Sequence, residues 1–63
     1  MLADVIRKKR KNMGLSQEEF ASYLNVSRIS VAKWENAKCI PKPTILIGMS
    51  QKLNCTIDEL LRG

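Results

Sequence analysis

Arg28, Ile29, Ala32, Lys33 and Asn36 stand at i, i+1, i+4, i+5 and i+8, which on an α-helix is one continuous face. The chemistry open to this face is binding: charge-assisted donation to an anion, beside one β-branched apolar residue that a plain solvated helix would not need. Bond-making chemistry is not indicated. Histidine is absent, which removes the usual general base, the Ser–His and Cys–His pairs and most zinc sites. The two thiols, Cys39 and Cys55, lie sixteen apart with no second pair, so neither a zinc ribbon nor a redox Cys-x-x-Cys is available. A disulfide between them is one alternative, and the plainer reading is two reduced cysteines used as small apolar residues. The expectation is a protein that is not an enzyme and takes no metal, no cofactor and no small-molecule ligand.

Composition points the same way. Sixty-three residues make one small domain over 1–63. A chain this short buries roughly 60% of the surface its unfolded form exposes. Its core supplies about 3–5 kcal/mol, too little to sustain a strained, enclosed catalytic cleft. Eleven Lys and Arg against six Asp and Glu give a formal charge of +5. A small basic domain points first to an anionic partner, of which nucleic acid is the commonest. The 44% apolar content is too high for a disordered basic tail. No apolar run approaches the ~18–20 residues of a membrane span, and basic residues occupy the stretch where a signal peptide would be apolar.

The elements that must position the cationic face read as short helices, because no segment alternates with period two for long. A first helix is expected from about Leu2 to Asn12, with Leu2, Ile6 and Met13 on its inner face and Val5, Lys9 and Arg10 flanking it. Gly14 lies beyond its end. Arg7, Lys8 and Lys11 are expected to point outward, mainly as a solvated face. Ser16-Gln17-Glu18-Glu19 is a capping box that opens a second helix, with Phe20, Ala21 and Leu24 inward and Glu18, Ser22 and Tyr23 outward. The turn Asn25-Val26-Ser27 follows, with Val26 packing back into the core. Ser27 serves as N-cap of a third helix to about Asn36, whose inner face is Val31 and Trp34 with Glu35 on the edge. Pro43 opens a fourth helix that buries Leu46, Met49, Ser50 and Leu53, with Gly48 weakening its middle. Thr56-Ile57-Asp58-Glu59 is a second capping box, and Ile57 and Leu60 of the last helix are expected to face inward. The fold class is all-α, five helices.

Two short helices joined by a three-residue turn describe a helix-turn-helix unit, here about 16–36. The stretch Leu15-Ser16-Gln17-Glu18-Glu19-Phe20-Ala21, then Asn25-Val26-Ser27-Arg28, then Lys33-Trp34-Glu35-Asn36, strongly resembles the phage repressor and Cro helix-turn-helix family of XRE-type regulators. Pro41, Leu46, Met49, Leu53 and Ile57 to Leu61 match it in type and spacing. The resemblance implies a lambda repressor-like domain that binds duplex DNA as a homodimer on a palindromic operator. It also implies a cytoplasmic, bacterial or phage-encoded, nucleoid-associated transcription regulator, a repressor by type. It further implies base reading by Arg28, Ile29, Ala32 and Lys33. Phosphate contacts fall to Gln17, Ser27, Asn36, Lys38 and Lys42, with Gln17 also bracing the third helix. Arg10 and Glu35 match a structural ion pair joining the first and third helices. Ile57, Asp58 and Leu61 are the candidate dimer contact, with closure of the core edge as the alternative for Leu61.

The chain departs from the family pattern in places. Asn25 and Ala37 replace turn glycines. If position 37 needs a positive φ, alanine costs about 1 kcal/mol there, which bears on the contact by Lys38. Lys9 stands where an apolar residue is usual, Gly48 is atypical, and Ile29 replaces a polar base reader. Two other classes compete with DNA binding: a helix-turn-helix adaptor or antitoxin-like module whose main partner is a protein, and a small RNA-binding protein. An adaptor need not be basic on its third helix. An RNA binder would show exposed aromatics for stacking, and only Tyr23 is expected to be exposed. A membrane-surface role for Arg7 to Lys11 is weaker still, because the apolar side of that helix is needed to close the core.

Overall fold

The computed structural model describes residues 2–62, which form α1 (Leu2–Asn12), α2 (Gln17–Leu24), α3 (Arg28–Glu35), α4 (Pro43–Lys52) and α5 (Ile57–Arg62), with no strand among the described residues. The starts are set by local chemistry. Ser16 Oγ accepts from the Glu19 amide at 3.1 Å while the Glu19 carboxylate accepts from the Ser16 amide at 2.8 Å. Thr56 and Glu59 repeat the arrangement at α5, at 3.0 and 3.1 Å. At α4 no side chain caps the helix, and Pro43 in the first turn removes one amide that would otherwise need a partner.

The stops are equally local. Beyond each of α1 to α4 the chain passes through one left-handed residue: Gly14 (φ 71°), Asn25 (59°), Ala37 (58°) and Asn54 (54°). Glycine and asparagine take that conformation readily, whereas alanine carries a steric penalty there of about 1 kcal/mol. Ala37 therefore occupies the conformation in which its side chain is unfavourable.

The core is Ile6, Phe20, Ala21, Val31, Trp34, Leu46, Met49 and Leu60, drawn from all five helices. Helix α1 packs on α3 and α5, and α2 packs on α3 and α4, so α3 is held from two sides. Leu2, Val5, Leu15, Leu24, Val26 and Leu53 lie partly buried against this cluster, Val26 being the turn residue that folds back.

Three expectations fail, each for a geometric reason. Met13 is exposed because α1 ends at Asn12 and the turn carries the next side chain off the helical face. Ile57 is at the margin of exposure because it opens α5, and the short helix buries only Leu60. Cys39 is exposed on the loop after α3, so it is not a packed apolar residue, whereas Cys55 is half-buried against the core. Both thiols are free.

Candidate nucleic-acid interface

Helix α3 has two unlike sides. Val31 and Trp34 sit in the core, and Glu35 is buried beside them with only 4% of its surface exposed. On the other side Arg28, Ile29, Lys33 and Asn36 are exposed and Ala32 is half-buried. Ile29 is 60% exposed, a large apolar side chain left in solvent between two cations. The side chains of Arg28 and Lys33 make no hydrogen bond or ion pair within the described residues. Their donors are free for an external acceptor.

The helix begins at Ser27, whose Oγ accepts from the Ser30 amide at 3.1 Å and lies 3.0 Å from the Ser30 hydroxyl. That hydroxyl is thus engaged in the cap, and the Ser27 carbonyl accepts from the Val31 amide at 3.3 Å, so it is the Ser27 amide that is left for an outside contact. The helix ends in a Schellman arrangement: the Lys38 amide donates to the Lys33 carbonyl at 2.9 Å and the Ala37 amide to the Trp34 carbonyl at 3.2 Å. The left-handed Ala37 makes this possible and turns Lys38 out into solvent. Lys42, one residue before α4, is exposed as well.

The buried end of α3 is tied by a polar hub on Glu35. Arg10 Nε and Nη2 donate to its two carboxylate oxygens at 2.6 and 3.1 Å, a bidentate fork. The third arm of Arg10 donates to the Leu15 carbonyl at 2.9 Å. Gln17 Nε2 donates to Glu35 Oε1 at 3.2 Å, so the residue that opens α2 also grips α3. Burial pushes the Glu35 carboxyl up, but the Arg10 fork, the Gln17 amide and the nearby Arg10 and Arg7 charges outweigh it and hold the group below its ordinary value. The Glu35 carboxylate in turn raises Arg10, against a smaller opposing effect of burial. The expected Arg10–Glu35 link is therefore present as geometry.

Arg7 is a correction. Instead of pointing outward it donates from Nη2 to the Glu35 main-chain carbonyl at 2.8 Å, with Nε 3.7 Å from Glu35 Oε1. The signal was its i, i+3 relation to Arg10, which places both on the side of α1 facing α3. Tyr23 and Lys52 form a second unforeseen tie. The Tyr23 hydroxyl donates to the Lys52 carbonyl at 2.8 Å, and Lys52 Nζ donates to the Tyr23 carbonyl at 2.6 Å. The same ammonium stands 5.3 Å over the Tyr23 ring. Tyr23 is exposed as expected, yet one ring face and the hydroxyl are occupied. Two residues 29 apart on different helices carry no pairing signal in sequence.

The residues considered for self-association lie on α5, which packs against α1 and α4. Ile57 and Leu61 are 36% and 55% exposed, one helical turn apart. Asp58 Oδ2 pairs with Arg62 Nε at 3.1 Å on an open surface. No described helix is long and apolar enough to cross a membrane.

The pattern of the helix-turn-helix family matches residues 6–60 of this chain. Among characterised proteins, the transcriptional activator BcrR of Enterococcus faecalis is 40% identical over 58 residues, covering 92% of this chain and 28% of BcrR. Repressor protein C2 of Salmonella phage P22 is 29% identical over 63 residues, all of this chain and 29% of that protein. The regulator DicA of Escherichia coli is 32% identical over 62 residues, 98% of this chain and 46% of DicA. The chain thus spans less than half the length of these relatives. In three dimensions it superposes on the crystal structure of the P22 c2 repressor in complex with a synthetic operator, with a TM-score of 0.92 and 28% identity over 100% of this chain and 96% of that one. The solution structure of the DNA-binding domain of the same repressor gives 0.89 at 28% identity, over 100% of this chain and 83% of that one. With five helices in this arrangement and a match over most of its length, the chain belongs to the phage repressor and Cro-type helix-turn-helix family, a DNA-binding regulator fold and not an enzyme fold.

Proposed function

We propose that this chain binds duplex DNA sequence-specifically and serves as a transcription regulator, a repressor by type, with α3 in the major groove. One observation carries the reading: Arg28, Ile29 and Lys33 stand exposed and unpartnered on one side of a helix whose other side is buried and braced by Arg10, Gln17 and Arg7. Ordinary solvated helices do not need both halves of that arrangement. Free donors on a fixed frame suit readout of base edges. The P22 repressor, which shares this fold, has been crystallised on an operator, and the likeness supports the same kind of partner here.

In this reading Arg28 spans guanine O6 and N7, and Lys33, one turn on, reaches a neighbouring guanine or a phosphate. Ile29 presses on a thymine methyl, with Ala32 allowing the close approach. Gln17, Ser27, Asn36, Lys38 and Lys42 meet phosphates and carry no base information of their own. The protein acts in the cytoplasm as a homodimer on a palindrome, with half-sites about 10 bp apart. Ile57, Asp58 and Leu61 supply the contact between copies. Such a contact is small, so the free protein is largely monomeric at micromolar concentration.

Tyr23 disfavours single-strand or RNA stacking, because Lys52 already covers one face of the only exposed aromatic ring among the described residues. Selection of bound duplexes from a random pool tests the reading. Enrichment of a two-fold symmetric motif is expected. A pool without enrichment overturns DNA reading in favour of a protein partner, and a footprint over one half-site at saturation overturns the dimer.

A further inference from the structure

At the C-terminal end of α3 the main-chain acceptors are satisfied one by one. The carbonyls of Ala32, Lys33 and Trp34 accept from the amides of Asn36, Lys38 and Ala37. The next carbonyl, that of Glu35, accepts from Arg7 Nη2 of α1 at 2.8 Å. The same planar fork brings Nε to 3.7 Å from the Glu35 carboxylate, so a single guanidinium spans the main chain and side chain of one residue. A cation placed there also suits the negative end of the helix dipole. The segment just beyond is the least supported around α3: Asn36 to Ile40 are all exposed, and Ala37 holds a left-handed conformation without being glycine.

Arg10 and Gln17 grip the Glu35 carboxylate, which can pivot about its own side-chain bonds. Arg7 grips the backbone itself. Without Arg7, α3 keeps its ion pair but loses the contact that fixes the position of its last turn, where the helix meets the Asn36–Lys38 loop. Bidentate base contacts demand a fixed approach, whereas phosphate contacts by flexible lysines tolerate small displacements.

We propose that Arg7 is a positioning residue for sequence discrimination: by capping the last turn of α3 from α1 it sets the angle at which Arg28, Ile29 and Lys33 meet base edges, without itself touching DNA. The inference rests on the reading of α3 as the DNA-reading helix.

The test compares the parent, Arg7→Ala and Arg7→Lys on the duplex enriched by selection and on a scrambled duplex of equal length, across a salt series. Lysine can still donate to the Glu35 carbonyl. Arg7→Ala is expected to lower the ratio of specific to scrambled affinity about tenfold, the scale of one charge-assisted hydrogen bond. Affinity for the scrambled duplex and the salt slope should stay unchanged, and Arg7→Lys should restore most of the ratio. Equal loss on both duplexes, with the slope reduced by about one, would make Arg7 a phosphate contact and overturn the proposal. Unchanged affinity on both would make it a solvated cation and overturn it too.

Amide hydrogen exchange in the DNA-free protein separates this failure from failure of the functional reading. Faster exchange at Asn36, Ala37 and Lys38 in Arg7→Ala is expected even if no duplex is discriminated by the parent. Unaltered exchange there overturns the capping role whatever the DNA result.

Discussion

The two sides of α3 use the same kinds of residue for opposite ends. Toward the interior, Arg10 meets Glu35 with a short bidentate contact, and Gln17 and Arg7 fill the remaining sites around that residue. Toward solvent, Arg28 and Lys33 keep every donor free, with Ile29 exposed between them. Charge spent inside the fold sets geometry, and charge left outside is available to a partner. Residue type does not separate them, since Arg7 and Arg28 are both helical arginines, and the i, i+3 relation of Arg7 to Arg10 gives the side it faces but not the partner it meets. What separates them is whether a carboxylate and a free carbonyl are within reach.

Removing the interior partner should have the largest effect. Glu35→Ala leaves the Arg10 fork unpaired in a largely buried site, a loss of about 3–5 kcal/mol, comparable to the stability available to a domain of this size. Thermal melting of the variant should show a severe drop or no cooperative transition. Melting like that of the parent, with DNA affinity lost, would place Glu35 on the wrong side of the comparison.

Acid should weaken the same hub. The carboxyl of Glu35 is lower in the folded state than its ordinary value of 4.5, so the unfolded chain takes up the proton first. Its contribution is complete above about pH 4.5 and is lost as pH falls through the lower folded value. Glu19, held low by the Ser16 amide and hydroxyl, acts with the same sign. Melting temperature should therefore fall as pH is lowered below about 4.5. Glu35→Gln, less stable at neutral pH, should show a shallower decline over that range. Parallel curves for the two proteins would show that Glu35 is not the titrating group.

On the outer side, Arg28→Ala should leave melting within about 0.5 kcal/mol of the parent. It should weaken binding to the selected duplex by roughly 1–3 kcal/mol and relax preference at one base pair per half-site. Titration against single-base variants of the duplex reads this directly. Uniform weakening with discrimination intact would reduce Arg28 to a phosphate clamp. Lys38→Ala should produce that uniform pattern, with the salt slope reduced by about one per subunit.

Ala37→Gly should have the smallest effect, on stability alone. It relieves the left-handed alanine but loosens the unfolded chain, for a net gain of at most about 0.5 kcal/mol. Chemical denaturation with an unchanged slope would show it, and destabilisation would mean that the alanine methyl makes a contact worth more than the strain.

Much of this molecule follows from local rules. The capping boxes at Ser16 and Thr56, the N-cap Ser27, Pro43 at the start of α4 and the left-handed Gly14 and Asn25 each act within a few residues, so their outcome is readable without knowing the fold. The division of α3 into inner and outer faces was readable for the same reason, because 100° per residue assigns each side chain a direction once the helix is granted. Periodicity failed where the helix did: Met13 and Ile57 sit at the ends, where the face rule no longer applies.

By itself, then, the sequence determined the five helices, their caps, the cationic outer face and the family. Which cations are spent and which are free was decided by the tertiary structure. Arg7 and Glu35 are 28 residues apart, and Tyr23 and Lys52 are 29 apart. Their pairing depends on how α1 lies along α3 and how α4 ends beside α2, and those placements are set by the packing of Ile6, Phe20, Trp34 and Met49 in one core. A helix face names the direction of a side chain, but the partner it meets there is a property of the neighbouring helix.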